Sequence, residues 1–141
     1  MRRVVLDTDV IVTALRSATG GSNAVLREVA LGRLTPLVMP ALFLEYEAVL
    51  KRPEQRLAHG LGLKAIDRFL SALASSCEAV EVSFQWRPQL SDPNDEMVLE
   101  TAINGHADAL ITHNVRDFAQ GAEKFGLQVL KPAELLKELR S

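Results

Sequence analysis

Four acidic residues stand where an apolar run gives way to polar sequence: Asp7, Glu45, Asp95 and Asp117. The first is the sharpest, because Val4-Val5-Leu6 reads as a buried strand that ends abruptly in Asp7-Thr8-Asp9. In open α/β sheets ligands collect outside the carboxyl ends of the strands, so a carboxylate one residue past such a run is delivered to that crevice. Carboxylates are the hard oxygen donors that Mg²⁺ or Mn²⁺ takes while keeping several waters. Two such ions can activate a water and stabilise the leaving oxygen of a phosphodiester, so the four acids together point to metal-dependent phosphodiester hydrolysis. No Ser, His and acid trio competes at a suggestive spacing, and Cys77, at the end of an amphipathic helix pattern, is most simply structural.

Each acid also has a plainer role. Asp7 can cap the helix pattern that starts near Val10, and Asp9 fits that capping role better. Glu45 has Ala41, Leu42, Ala48 and Val49 three and four residues away, so no side chain of its own helix pairs with it. A charge beside an apolar face is costly unless a metal, an arginine from elsewhere or exposure compensates. Glu47, by contrast, has Lys51 four residues on and reads as a surface ion pair. In Asp92-Pro93-Asn94-Asp95 the first acid is an N-cap, the proline takes the first helical position and Asp95 completes something close to a capping box. That accounts for Asp92 and leaves Asp95 open, since a helix N-terminus aimed into a strand-end cleft presents the same carboxylate to a metal. Asp117 closes the polar stretch Thr112-His113-Asn114 after a strand, and the alternative for it is an ordinary loop with an Asp cap. His113 reads as exposed or supporting rather than as a ligand.

The elements that must position these acids alternate between short apolar runs and helical patterns, which predicts an α/β fold with a central, mainly parallel sheet flanked by helices. Strands are expected at 3–6, 37–39, 79–82, 109–112 and 127–130. Helices are expected over 10–16, from a Ser22 cap to about Gly32, from Pro40 to about Arg52 with Pro53 as its stop, over 64–75, from Asp92 to Asn104 with Gly105 as its stop, and over 132–139. At 141 residues, with 48% hydrophobic and 24% charged, the chain fits a single domain over 1–141 that buries a core without disulfides. One cysteine permits neither an intramolecular disulfide nor a thiolate zinc cage, and a reducing, cytoplasmic setting fits best. Asp7 and Asp9 interrupt the first apolar stretch too early for a signal peptide, and no segment approaches the roughly 20 apolar residues of a membrane helix. A net charge of −2 argues against a protein held to nucleic acid by a general basic surface. The cations that could guide a substrate are Lys51, Arg52, Arg56, Lys64 and Arg68, which also read as a solvated helix face with Glu54 and Asp67 interspersed.

As an ordered set these stretches resemble the PIN domain family, in particular its stand-alone, VapC-type bacterial and archaeal members that serve as toxin components of toxin–antitoxin pairs. The resemblance rests on Val5-Leu6-Asp7-Thr8-Asp9-Val10, Leu44-Glu45-Tyr46 with Val49-Leu50, Asp92-Pro93-Asn94-Asp95 running into Leu99 and Ala102, Ala107 to Thr112 through Asp117-Phe118, and Pro132-Ala133-Glu134. It implies that Asp7, Glu45, Asp95 and Asp117 converge on one or two Mg²⁺ or Mn²⁺ ions, with Asp9, Asp92, Thr112 and Asn114 as additional candidates. It implies endonucleolytic hydrolysis of RNA, a small antitoxin as partner and a homodimer; a recessed metal site favours single-stranded or looped RNA. Two positions depart from the family pattern: Asp9 stands where Asn is usual, and Asn114 where many members carry an acid. A catalytically degenerate PIN module that binds RNA or a partner is the first alternative. The second is a haloacid dehalogenase-type phosphatase, to which Asp7-Thr8-Asp9-Val10 is also similar, although Thr112 to Phe118 contains no lysine and only one acid.

Overall fold

Val4, Val5 and Leu6 are fully buried, as a strand covered on both faces requires. They lie in β1 (Arg2–Leu6), the middle strand of the sheet in a computed structural model that describes residues 2–81, 90 and 92–140. On one side β1 pairs with β2 (Leu34–Val38), which pairs in turn with β3 (Glu78–Ala79). On the other it pairs with β4 (Ala109–Ile111), which pairs with β5 (Gln128–Leu130). Every pairing is parallel and the order is β3-β2-β1-β4-β5. The chain therefore builds outward from β1 to one edge, then crosses to the other side at β4. The junction between β1 and β4 is the switch point at which such sheets open a crevice.

Helices cover the sheet: α1 (Thr8–Arg16) and α2 (Gly21–Ala30) lead from β1 to β2, and α3 (Pro40–Leu50), α4 (Pro53–His59) and α5 (Leu63–Ser76) lead to β3. Then come α6 (Pro93–Asn104) before β4, α7 (Val115–Glu123) between β4 and β5, and α8 (Pro132–Arg140). Their inward faces join the strands in one cluster of buried residues, with Leu42, Tyr46, Leu50, Ile66, Leu99 and Phe118 among the largest. Each such side chain contributes about 1.5–3 kcal/mol relative to exposure. At the end of α6, Gly105 leaves no room for a side chain: a Cβ there would stand 2.8 Å from Leu37 Cδ1 and 2.9 Å from Val80 Cγ2. Its absence lets α6 end close against β2. Among the described residues no helix is long and apolar enough to cross a membrane.

Several expected boundaries move for physical reasons. Pro53 does end α3, but as the first residue of α4, a position where a missing N–H costs nothing. Ser22 does not cap α2: Gly20 holds that position, and the Ser22 hydroxyl, buried, meets His113 Nε2 at 2.7 Å. Asp117 sits in the first turn of α7, where the sequence reads as loop. β2 begins earlier than expected and contains Pro36, which is tolerated because β3 meets β2 only at Leu37 and Val38. β3 is formed by Glu78 and Ala79, and Val82, the expected end of that strand, lies outside the described residues.

Candidate active site

Parallel register sets the site. Leu6 stands beside Ile111, so the next residues, Asp7 and Thr112, leave the sheet side by side, and Asp7 N–H donates to the Ile111 carbonyl at 2.9 Å. Asp7 is the N-cap of α1, its Oδ1 accepting the Thr8 N–H at 2.8 Å, which corrects the sequence expectation that Asp9 is the better cap. Its second oxygen accepts the Thr112 hydroxyl at 2.7 Å. Only 7% of Asp7 is exposed.

Asp9, in the first turn of α1, leans towards the same strand end. Its Oδ2 accepts the His113 N–H at 3.1 Å and the Asn114 side-chain amide at 3.0 Å, and the Thr112 hydroxyl lies 3.4 Å away. The Asn114 N–H in turn donates to Thr112 Oγ1 at 2.9 Å, so the fully buried Thr112 hydroxyl is fixed from two sides. The two positions that depart from the expected pattern are thus bonded to each other, acid on the helix and amide on the loop. Asp9 Oδ1 is buried and has no hydrogen-bond partner among the described residues.

Asp95 enters from the first turn of α6, where Asp92 is the N-cap and accepts the Asn94 N–H at 2.8 Å. Burial, then the charges of Asp7, Asp92 and Asp117, push the Asp95 carboxyl up to about 6. Asp7 also rises to about 6, first through burial and then through the charge of Asp9, against the hydrogen bonds from Thr112 and Thr8 that favour its ionised form. Asp9 is raised as well, chiefly by burial and more weakly by Asp95. Asp7, Asp9, Asp95 and Asp117 therefore share one field, with Asp92 at its margin.

Glu45 is half-buried on α3 and is not among the charges that raise Asp7 or Asp95. Its neighbour Tyr46, 1% exposed, donates its hydroxyl to the carbonyl of Leu6, the residue immediately before Asp7. That bond seats α3 against the end of β1. Sequence reasoning passed over Tyr46; the signal available was the chain's only tyrosine on an otherwise apolar helix face. Glu47 pairs with Lys51 at 3.1 Å, as its spacing predicts, and Lys51 also reaches Asp67 at 2.9 Å. Lys51 is thus already neutralised on the expected substrate-guiding face. His113 is exposed, with Nε2 held by Ser22. Burial lowers its pKa, with a further lowering from Lys131 against the opposing field of Asp7.

The donor chemistry fits a hard divalent cation. Buried carboxylates that hold each other's protonation up, and an oxygen without a partner, are relieved by a positive charge between them. Among the described residues no three His, Cys, Asp or Glu side chains stand close enough to hold an ion as they are. Mg²⁺ does not require a full protein cage, since it is commonly bound through one or two carboxylates with water completing the octahedron.

A family model described as PIN domain matches residues 3–116. No curated protein sequence matches the chain. Among solved structures, the crystal structure of VapBC2 from Rickettsia felis bound to a DNA fragment from their promoter contains a chain of similar fold. The TM-score is 0.58 at 15% identity, covering 92% of this chain and 98% of that one.

Proposed function

The chain belongs to the PIN domain family, and from that premise we propose that it is a metal-dependent endoribonuclease acting as the toxin of a type II toxin–antitoxin pair. Membership displaces the phosphatase reading of Asp7-Thr8-Asp9. The observation that carries the proposal is the buried Asp7 at the β1–β4 switch point, bonded by Thr112 and sharing its field with Asp9 and Asp95, the latter also felt by Asp117, with Asp7 and Asp95 both raised to about 6. Such a nest of like charges is unfavourable in a protein that binds nothing there.

In this reading Asp7 and Asp95 hold the cation, and Asp9, Asp117 and Glu45 bind it directly or through water. When bound, one or two Mg²⁺ or Mn²⁺ ions supply a nucleophilic water and neutralise charge on the phosphodiester. Thr112 holds Asp7 in its ionised rotamer, Asn114 orients Asp9, and Tyr46 keeps α3 seated so that Glu45 reaches the cleft. The substrate is RNA that is single-stranded or looped, because Asp7 is buried at the strand ends, where a phosphate within a regular duplex does not reach. The antitoxin partner is supported by the solved neighbour, named as a VapBC2 complex, and by the family resemblance; a single domain over 1–141, a homodimer and a cytoplasmic setting belong to the same proposal.

The second reading, a module that binds RNA without cutting it, is favoured by the lack of three described side chains already placed to hold an ion. The deciding experiment is cleavage of a labelled single-stranded RNA pool in Mn²⁺, Mg²⁺ or chelator. Cutting that depends on metal supports the nuclease; folded protein that binds RNA and never cuts it supports the module. Within that assay Glu45→Gln is expected to lose activity by on the order of tenfold or more, and Glu47→Gln to change it less than about twofold, because an exposed ion pair contributes under about 1 kcal/mol. Equal damage from the two would remove Glu45 from the site.

A companion test addresses Thr112. Thr112→Val keeps the shape but removes the donor to Asp7 and the acceptor for Asn114, and should lower cleavage by about 10- to 100-fold, the usual cost of losing a group that orients a metal ligand. Thr112→Ser should restore most of it. If valine is as active as threonine, the hydroxyl serves folding only.

A further inference from the structure

A cleft opens next to the acid cluster on the side of β4 and β5, lined by His113, Asn114, Arg116, Asp117, Lys131 and Glu134. Resting on the nuclease reading above, we propose that this cleft is a phosphate subsite: Arg116 and Lys131 hold a backbone phosphate of the RNA strand next to the one that is cut.

Two consecutive residues of α7 divide the labour. Asp117 contributes its charge to Asp95, within the acid cluster, while Arg116 lines the cleft. Lys131 comes from the neighbouring strand end: Ile111 is in register with Leu130, and Thr112 N–H donates to the Leu130 carbonyl at 3.0 Å. Lys131 therefore leaves the sheet level with Thr112, as Asp7 does on the opposite side of β4. A strand of RNA laid across these carboxyl ends would pass from the acids to the two cations.

The charges of the cleft are open to a ligand. Glu134 Oε1 accepts the Lys131 backbone N–H at 2.9 Å and so closes the start of α8. Asn114 is tied to Asp9, and His113 Nε2 to Ser22, which fixes that wall. Arg116 and Lys131 are exposed, and neither side chain has an ion-pair partner among the described residues. On the face expected from sequence, Lys51 is already held by Glu47 and Asp67. A guanidinium and an ammonium lining one cleft, the first from α7 and the second from the end of β5, suit a singly charged tetrahedral phosphodiester, with the guanidinium able to bond two of its oxygens.

The test measures binding of a short single-stranded RNA by fluorescence anisotropy in Ca²⁺, from low to moderate salt, for the full chain, for Arg116→Gln/Lys131→Gln and for Lys64→Gln/Arg68→Gln as a charge-matched control. Each lost phosphate contact on a single strand should reduce the slope of log K against log salt by about 0.7. The Arg116/Lys131 variant is expected to lose about that much, with affinity down by on the order of tenfold at low salt, while its melting temperature stays within a few degrees. The control should keep the slope. An unchanged slope in the Arg116/Lys131 variant overturns the subsite, as does an equal loss in the control, which would mean diffuse charge. Because binding is read without turnover, failure of the nuclease reading appears separately, as an absence of metal-dependent cutting by the unmodified chain.

Discussion

Asp7→Asn is expected to abolish metal-dependent RNA cleavage, with a loss beyond the roughly 100-fold that removal of an orienting partner causes, and to leave a folded protein that is more stable at neutral pH without metal. The two halves of this result have one cause. Asp7 is buried between the ends of β1 and β4 and its carboxyl is pushed up to about 6 by burial and by Asp9. At pH 7.5 the metal-free protein therefore holds an ionised group that its surroundings disfavour. An amide removes that charge in nearly the same volume. It gives back part of the gain, because a carboxylate accepts from both the Thr8 N–H and the Thr112 hydroxyl, and an amide oxygen replaces only one of its oxygens. The net stabilisation is on the order of 1 kcal/mol, a rise of a few degrees in melting temperature. Cleavage on a labelled RNA and thermal melts of both proteins in chelator provide the measurement. Activity retained in the variant would remove Asp7 from the chemistry, and collapse of the melt would show that its N-cap role outweighs its charge.

The second large effect is on stability, with pH and divalent cation acting in opposite directions. Asp7 and Asp95 move from an ordinary 3.8 to about 6, so between those values the native state binds more protons than the unfolded chain. Unfolding free energy then falls as pH rises: the contribution is whole below about 4 and is lost as pH passes through about 6. Without metal the protein should be more stable at pH 5 than at pH 7.5, by on the order of 1 kcal/mol from Asp7, with Asp95 adding in the same direction and discounted for its partial exposure. Mg²⁺ or Mn²⁺ should reverse the order, because it competes with protons for these carboxylates and stabilises only the ionised site. At a hundredfold excess over its dissociation constant the gain is about 2.7 kcal/mol. Calorimetric melts at the two pH values, with chelator and with Mn²⁺, read both trends. A melting temperature that rises with pH in chelator, or one that Mn²⁺ leaves unmoved at pH 7.5, would contradict the site.

The site's topology also bears on how the two departures from the family pattern act. Asp9 and Asn114 are hydrogen-bonded across the gap between α1 and the loop after β4, so the carboxylate that the loop lacks is present on the helix. This keeps an acid at that corner without adding one to it. In the nuclease reading it places the question of a second ion on Asp9 and Asp117 together rather than on either alone.

By itself the sequence determined the fold class and the order of its strands and of its helices apart from α4 and α7, because buried parallel strands are short runs of Val, Leu and Ile that resist other readings, and because Asp92-Pro93 and Pro40 mark helix starts by simple chemistry. It also determined which acids lack a local partner, Glu45 as against Glu47, since spacing along one helix is a property of the chain alone. Tertiary structure decided the rest. Asp7 and Asp9 are two residues apart and both suit a helix start; only the register of Leu6 with Ile111 makes Asp7 the cap and turns Asp9 towards Asn114. Ser22 reads as a cap until His113, 91 residues away, is found against its hydroxyl. For Tyr46 the sequence offers only its being the chain's single tyrosine, and for Lys131 nothing, because what gives each its place is a strand end elsewhere in the chain: Leu6 for the first, Thr112 for the second. Contacts between residues far apart in the chain depend on sheet order and register, and these follow from how all the apolar faces close on one another rather than from any local run of residues.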